Sequence, residues 1–302
     1  MADGQAADVA LAAEINALAR SEPPVRHWRL GTVDVDLDER AYAAAFRRVM
    51  DYLHAGDCYQ INLARRFSAA LEGDPIGLWL ALRAASPGGY GACLDFPGMA
   101  VLSVLPERFL WQRAGEVSTR PIKGTRPRGH DAAADEAIAE ELAAAPKDRA
   151  ENLMIVDLLR NDLGRVCATG SVRVPRLFAV ERFATVQHLV SEVSGRLAPG
   201  RDAVDLLTAC LPGGSITGAP KRRAMEIIDE LEPSARGVYC GAIGYLGDDG
   251  AMDTSIAIRT AVARGGRVEY RAGGGIVADS QESAELAETL DKAAAFLRLV
   301  GA

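Results

Sequence analysis

The chain has 302 residues, 49% of them hydrophobic and 25% charged, with a formal net charge of −7. That balance describes a soluble globular protein with a sizeable core, as one large domain or two small ones. The acidic excess excludes a general nucleic-acid binder but not an anionic small substrate, because charges are screened over roughly 8 Å at physiological salt.

The five cysteines, Cys58, Cys93, Cys167, Cys210 and Cys240, are scattered and form no CxxC pair. Reduced thiols are expected, not a disulfide frame or a zinc site. No basic segment followed by an apolar run opens the chain, and no stretch reaches the roughly 18 apolar residues of a membrane span. The expectation is a cytoplasmic protein with no membrane and no nucleic-acid partner.

Residues 1–30 are Ala-rich and then break at Pro23-Pro24, predicting a short helix and a linker. Tyr42, Ala45, Phe46, Val49, Met50 and Leu53 recur at helical spacing, predicting a helix over 38–55 that Gly56 stops. Cys58–Phe67 alternates as a strand does, with Tyr59, Ile61 and Leu63 on one side and Gln60 and Asn62 on the other. A helix over 75–85 ends at Pro87-Gly88-Gly89, and short strands follow near 90–96, 99–105, 108–113 and 116–120. Pro121–Gly129 reads as a tight, glycine-bearing loop. Helices are predicted over 131–144 and 147–163, strands over 171–180 and 184–196, and a helix over 202–210. A Gly-rich loop at 212–219 precedes a helix from Pro220 to Leu231. Strands over 237–247, 251–264 and 267–277 are joined by Asp248-Asp249-Gly250 and Arg264-Gly265-Gly266, both good hairpin turns. A last helix covers 281–299. Hairpins interrupted by helix pairs, without strict β-α-β alternation, imply a mixed, largely antiparallel α+β fold.

Several groups in this pattern carry chemistry. Lys123 lies between Pro121 and Gly124, with Arg126 and Arg128 close behind. A loop lysine is ordinarily solvated; desolvated beside other cations it becomes a usable nucleophile. The loop Pro212–Lys221 contains GxxxxG, but Ala219-Pro220 intervene before the lysine and Arg222 follows it, so it is not a nucleotide-phosphate loop. Its amides and Thr217 stand before a helix start, where an anion can be held. Glu151 on one helix and Glu282, Glu285 and Glu288 on the last one read singly as solvated faces. Together they are a set of hard oxygen ligands suited to Mg²⁺, although spacing alone does not bring the two helices together. Gly273, Gly274 and Gly275 at a strand end read equally as a bulge or as bare backbone for a ligand. Arg259 is a lone charge in an alternating strand, either solvated or a fork for a carboxylate. His188 in an apolar strand reads as a core residue, and Glu107 as a turn residue.

The strings GDCYQINLA (56–64), PERF (106–109), PIKGTRPRG (121–129), ENLMIVDLLRNDLGRV (151–166), VQHLVS (186–191), LPGGSITGAPKRRAMEIIDELEP (211–233), GAIGYL (241–246), MDTSIAIRT (252–260) and AGGGIVADSQESAELAETLDKA (272–293) occur in this order. Over roughly residues 39–299 they resemble the chorismate-utilising enzymes, which include anthranilate, aminodeoxychorismate, isochorismate and salicylate synthases. The resemblance implies a large, mostly antiparallel β-sandwich core with helices packed outside. It divides the chain into a short N-terminal extension, 1–38, and a chorismate-binding catalytic domain, 39–302. Family members usually carry a longer N-terminal portion.

Within that family a lysine at position 123 marks the branch that forms 4-amino-4-deoxychorismate for 4-aminobenzoate and folate, whereas the anthranilate branch has alanine there. Gln60 stands where the water-adding branch has a lysine. The resemblance implies Lys123 as covalent nucleophile, Glu107 as the acid for the C4 hydroxyl, and His188 as a positioning group at the catalytic site. It implies Glu151 and Glu288, with Glu285 beside them, as Mg²⁺ ligands. Arg259, Tyr245, Thr217 and the Gly273–Gly275 backbone are implied for the enolpyruvyl carboxylate, with Lys292 near the ring carboxylate and Gln60 in the substrate pocket. The implied partners are chorismate, ammonia and a separate glutaminase subunit. The alternatives are an anthranilate synthase component and, in a different class, a non-catalytic chorismate-binding partner.

Overall fold

The computed structural model describes Ala13, Asn16, residues 26–86 and residues 88–301. The expected N-terminal helix and Pro23-Pro24 linker lie almost wholly outside these residues, as does Pro87 of the expected turn. In chain order the elements are β1 (Trp28–Leu30), β2 (Asp34–Val35), α1 (Glu39–His54), β3 (Gln60–Gly73), α2 (Pro75–Ala85), β4 (Tyr90–Phe96), β5 (Met99–Leu105), β6 (Arg108–Arg113), β7 (Glu116–Thr119) and β8 (Ile122–Pro127). Then follow α3 (Ala132–Ala144), α4 (Pro146–Gly164), β9 (Arg173–Arg182), β10 (Val186–Arg196), α5 (Ala203–Cys210), a 3-10 turn at Gly214–Ile216, β11 (Gly218–Ala219) and α6 (Lys221–Leu231). The chain finishes with β12 (Ala242–Leu246), β13 (Met252–Ile256), β14 (Thr260–Arg264), β15 (Arg267–Ile276) and α7 (Glu282–Leu297).

Four of the helices start where the sequence supplies a side-chain cap. Asp38, Asp74, Asp131 and Asp202 each accept a hydrogen bond from a backbone N–H of the first turn of α1, α2, α3 and α5. Each such cap contributes about 1 kcal/mol.

The strands form two antiparallel sheets. One runs β1-β3-β15-β14-β5-β4, with β2 and β11 also pairing β3. The other runs β12-β13-β6, then β7 and β8 in succession along one side of β10, with β9 on its far side. On the first sheet, Leu78 and Leu82 of α2 and Phe296 of α7 pack against Phe67, Leu102 and Tyr270. On the second, Ile155, Leu159 and Leu163 of α4 and Leu206 of α5 cover Leu110, Val117 and Val193. Each such fully buried side chain contributes roughly 1.5–3 kcal/mol. The expected antiparallel α+β fold with helices packed against the sheets is present.

Three expectations change. The segment around Lys123 is not a loop: β8 pairs with β10 in register from Ile122↔Val190 to Pro127↔Val186. The predicted strand 251–264 is two strands in different sheets, β13 beside β6 and β14 beside β5. The division at residue 38 is not a structural break, because Trp28–Leu30 and Asp34–Val35 both pair with β3.

Candidate active site

The site grows from two side-by-side crossings between the sheets. β5 belongs to the first sheet and β6 to the second, and only Pro106-Glu107 joins them. β13 and β14 make the reverse crossing through Ala257–Arg259. Since β13 pairs with β6 and β14 with β5, the crossings are neighbours, and the Val104 N–H donates to the Arg259 carbonyl at 3.2 Å. Glu107 and Arg259 therefore emerge from one seam. Arg259 has φ +46°, a conformation that costs a non-glycine residue roughly 1–3 kcal/mol.

β8 runs past this seam. The Ile122 N–H donates to Glu107 Oε1 at 3.0 Å. The next residue, Lys123, puts Nζ 3.8 Å from Glu151 Oε2 on α4, with side-chain exposures of 17% and 21%. Gly124 is the extra residue of a β-bulge: His188 pairs with Thr125 and Leu189 with Lys123. Its φ is +77°, and a Cβ there would fall 2.9 Å from Asp148 Cγ, so glycine suits the position on both counts. The bulge turns Thr125 toward His188, and Thr125 Oγ1 lies 2.9 Å from His188 Nδ1. Burial, and next the Arg259 charge, hold His188 below its ordinary pKa and so favour neutral imidazole.

Glu107 responds most to this environment. Desolvation pushes its carboxyl up to about 7, against the Ile122 N–H and the charges of Lys123, Arg259 and Lys292. A carboxyl poised there holds a proton near neutrality and can give it up, as a general acid requires.

The second half of the site is acidic and helical. Glu285 and Glu288 of α7 converge on Gly274, where a Cβ would fall 2.7 Å from Glu285 Oε2 and 3.4 Å from Glu288 Oε1. Glu288 pairs with Lys292 at 2.5 Å, and Lys292 Nζ also donates to the Gly273 carbonyl at 2.8 Å. Ser280 Oγ lies 2.7 Å from Glu285 Oε1, whereas Glu285 Oε2 is buried without a partner among the described residues. Desolvation raises the Glu285 pKa, and the Lys147 and Lys292 charges oppose that rise. Lys147 lies one turn before Glu151 on α4, 4.0 Å from its Oε1. The two acidic helices, unconnected in the sequence, thus share one electrostatic neighbourhood.

These carboxylates are hard oxygen donors, and the orphaned Glu285 Oε2 is the kind of atom a divalent cation satisfies. They fit Mg²⁺ as an open site. Among the described residues no group of three or more His, Cys, Asp or Glu is gathered closely enough to enclose a metal. Mg²⁺ is commonly held by one or two carboxylates, waters and substrate oxygens.

The other expected residues divide. Gln60 is fully buried with neither amide atom paired among the described residues, and a Cβ on Gly275 would fall 2.9 Å from its Cδ. The alternation that placed Gln60 on the polar side fails because β3 is buried on both faces. Gly273 has a packing reason of its own, since a Cβ there would meet Leu63 O at 2.6 Å. The Gly-rich loop does reach the site: Gly213 and Gly214 line a small cavity with Glu107, Thr119, Pro121 and Ile256. Thr217, however, is buried with its hydroxyl donating to the Gly213 carbonyl at 2.9 Å, so that donor closes its own loop. Lys221 is engaged by Asp162 Oδ2 at 2.7 Å. Tyr245 is not brought to the cluster: it stands 64% exposed on the outermost strand β12, opposite Asp253. Thr125 is the residue that sequence reasoning passed over. It sits in the same PIKGT string, but only the bulge reveals that it faces His188.

Comparison with known proteins decides the family. A family model described as chorismate binding enzyme matches residues 2–298. The chain belongs to the chorismate-binding enzyme family. It is 54% identical over 265 residues to aminodeoxychorismate synthase component 1 of Klebsiella aerogenes, covering 88% of this chain and 58% of that protein. It is 49% identical over 278 residues to anthranilate synthase component 1 of Streptomyces coelicolor, covering 92% and 54%. In structure it is similar to anthranilate synthase component I from Streptococcus pneumoniae, with a TM-score of 0.82 at 38% identity, over 96% of this chain and 65% of that one. The chain thus spans little more than half the length of these curated relatives. No helix among the described residues is long and apolar enough to cross a membrane.

Proposed function

We propose that this chain carries the catalytic part of an aminodeoxychorismate synthase component 1, converting chorismate and ammonia to 4-amino-4-deoxychorismate. The observation that carries this reading is Lys123, reached by β8 and set between Glu107 at the seam and Glu151 on α4. The higher identity to an aminodeoxychorismate synthase than to an anthranilate synthase supports it.

Hydroxide is a poor leaving group, so breaking the ring C4–O bond needs a proton on the departing oxygen. Protonated Glu107 supplies it, and water leaves. The Lys123 amine attacks C2 as the ring double bond shifts, so the C2–N bond forms while C4–O breaks. Ammonia then attacks C4; the double bond returns, the C2–N bond breaks, and its electron pair goes back to Lys123. The Glu107 carboxylate accepts the proton that ammonia loses, which restores the acid. Arg259 would anchor the enolpyruvyl carboxylate of the dianionic substrate, with the Thr125–His188 pair next to it.

Glu151, Glu285 and Glu288 would hold Mg²⁺, which supplies Lewis-acid polarisation of the ring carboxylate when bound. Ammonia would come from a separate glutaminase subunit, in keeping with the component 1 names of the relatives. The cytoplasm is the proposed compartment.

The test is a product assay. Chorismate, Mg²⁺ and an ammonium salt should give aminodeoxychorismate, identified by chromatography with and without a lyase that releases 4-aminobenzoate. Anthranilate and pyruvate as the main products would place the chain in the other branch. Binding of chorismate without turnover would make it a non-catalytic partner.

A further inference from the structure

Behind the acidic cluster lies a buried polar side chain that the reaction does not use. Tyr42, on α1, is fully buried, and its hydroxyl has no hydrogen-bond partner among the described residues. It packs in the cluster formed by α1, α6, Ile61 and Ile276, against which Leu286 of α7 also rests. Arg65 lies over its ring at 5.8 Å and donates from Nη1 to Thr289 Oγ1 at 3.1 Å, so the same layer reaches the residue after Glu288. One turn before Thr289, on the same face of α7, is Glu285, 5% exposed, with the orphaned Oε2. Of the charges that raise the Tyr42 pKa after burial itself, Glu285 acts most strongly, followed among carboxylates by Glu288 and Glu282. A phenol in that field stays neutral and remains a donor.

A buried donor and a buried acceptor that are both unsatisfied cost roughly 1–3 kcal/mol each. Pairing them removes both penalties. We infer that Tyr42 is a positioning residue for Glu285: when the cation is bound, its hydroxyl donates to the Glu285 carboxylate, directly or across one ordered water, and fixes the orientation in which that carboxylate meets the cation. The inference rests on the proposed reading of Glu285 as a metal ligand. Partners of this kind orient ligating carboxylates, and their loss commonly weakens metal binding about 10–100-fold.

The experiment is a Mn²⁺ titration of the whole chain without chorismate, followed by the electron paramagnetic resonance of free Mn²⁺. Wild type, Tyr42→Phe and Glu285→Gln are compared, and thermal unfolding is recorded for each. Wild type should bind saturably and Glu285→Gln should lose that binding. Tyr42→Phe should raise the Mn²⁺ Kd about tenfold. It should not melt earlier, since it removes only a hydroxyl with no partner among the described residues of the metal-free chain. Because the Tyr42 ring would change surroundings on loading, saturating Mn²⁺ should also shift the near-ultraviolet tyrosine absorbance of wild type; this reading stands even if the variant folds poorly. A Tyr42→Phe Kd within twofold of wild type, with Glu285→Gln still defective, overturns the role of Tyr42 alone. An unchanged wild-type absorbance does the same. No saturable binding by wild type, or unchanged binding by Glu285→Gln, removes the metal reading and this inference with it.

Discussion

The seam and the acidic helices hold their side chains by different means. At the seam the backbone does the placing. Glu107 spans a two-residue crossing, Arg259 is held at φ +46°, and Lys123 immediately precedes a bulge at Gly124 with φ +77°. On the helices, exchangeable ion pairs do it: Glu151 lies between Lys123 and Lys147, and Glu288 pairs with Lys292. The groups proposed to make and break bonds are set by covalent geometry. Glu151 and Glu288, proposed to meet a cation, carry lysine counter-charges that a cation can replace, whereas Glu285 is held by the Ser280 hydroxyl. Misplacing a reacting atom by a small distance is costly, whereas a charge must be free to change partners.

The comparison is tested most severely at Lys123 and Glu107. Lys123→Ala should abolish most aminodeoxychorismate formation or divert it to anthranilate; an unchanged rate and product would refute the covalent role. Glu107→Gln keeps the shape and removes the proton, and kcat should fall roughly 10²–10⁴-fold in the same assay.

Glu107 also imposes a pH dependence. Its folded pKa of about 7 lies above the ordinary value of 4.5, so the proton-donating form is lost as pH rises through 7. A kcat/KM profile should fall on that limb, and Glu107→Gln should lose the limb. Linkage gives the same sign for stability. The folded state binds this proton more tightly, so Glu107's contribution is full below about 4.5 and disappears as pH rises to about 7. Denaturant melts of wild type and Glu107→Gln across that window measure it.

Gly124→Ala sharpens the distinction between backbone and side-chain placement. It forces a Cβ at φ +77° against Asp148, so stability should fall by about 1–3 kcal/mol in urea melts, with activity falling alongside it. The smallest effect belongs to Tyr245. On its exposed edge strand, Tyr245→Ala should change stability by less than about 0.5 kcal/mol and leave the KM for chorismate unaltered. A large rise in KM would bring it back into the substrate pocket.

Much of the architecture was legible because its causes are local. Apolar residues at helical spacing and hairpin glycines mark α1 and the β12–β13 and β14–β15 turns within a few residues. The motif strings pointed to Glu107, Lys123, Glu151, His188, Arg259, Glu285 and Glu288 before any of them had a position. What the chain alone left open was every non-local decision. Alternation over 251–264 is the same whether a strand continues or changes sheets, so the crossing that presents Arg259 is invisible until β5, β6 and β15 choose their neighbours. The bulge at Gly124 is defined by register against β10, and so is the meeting of Thr125 with His188. The effect of the Lys147 charge on Glu285 depends on how segments more than a hundred residues apart are packed. Local sequence sets backbone preferences and the side chains available; hydrogen-bond register and burial between distant segments decide which of those side chains share a site.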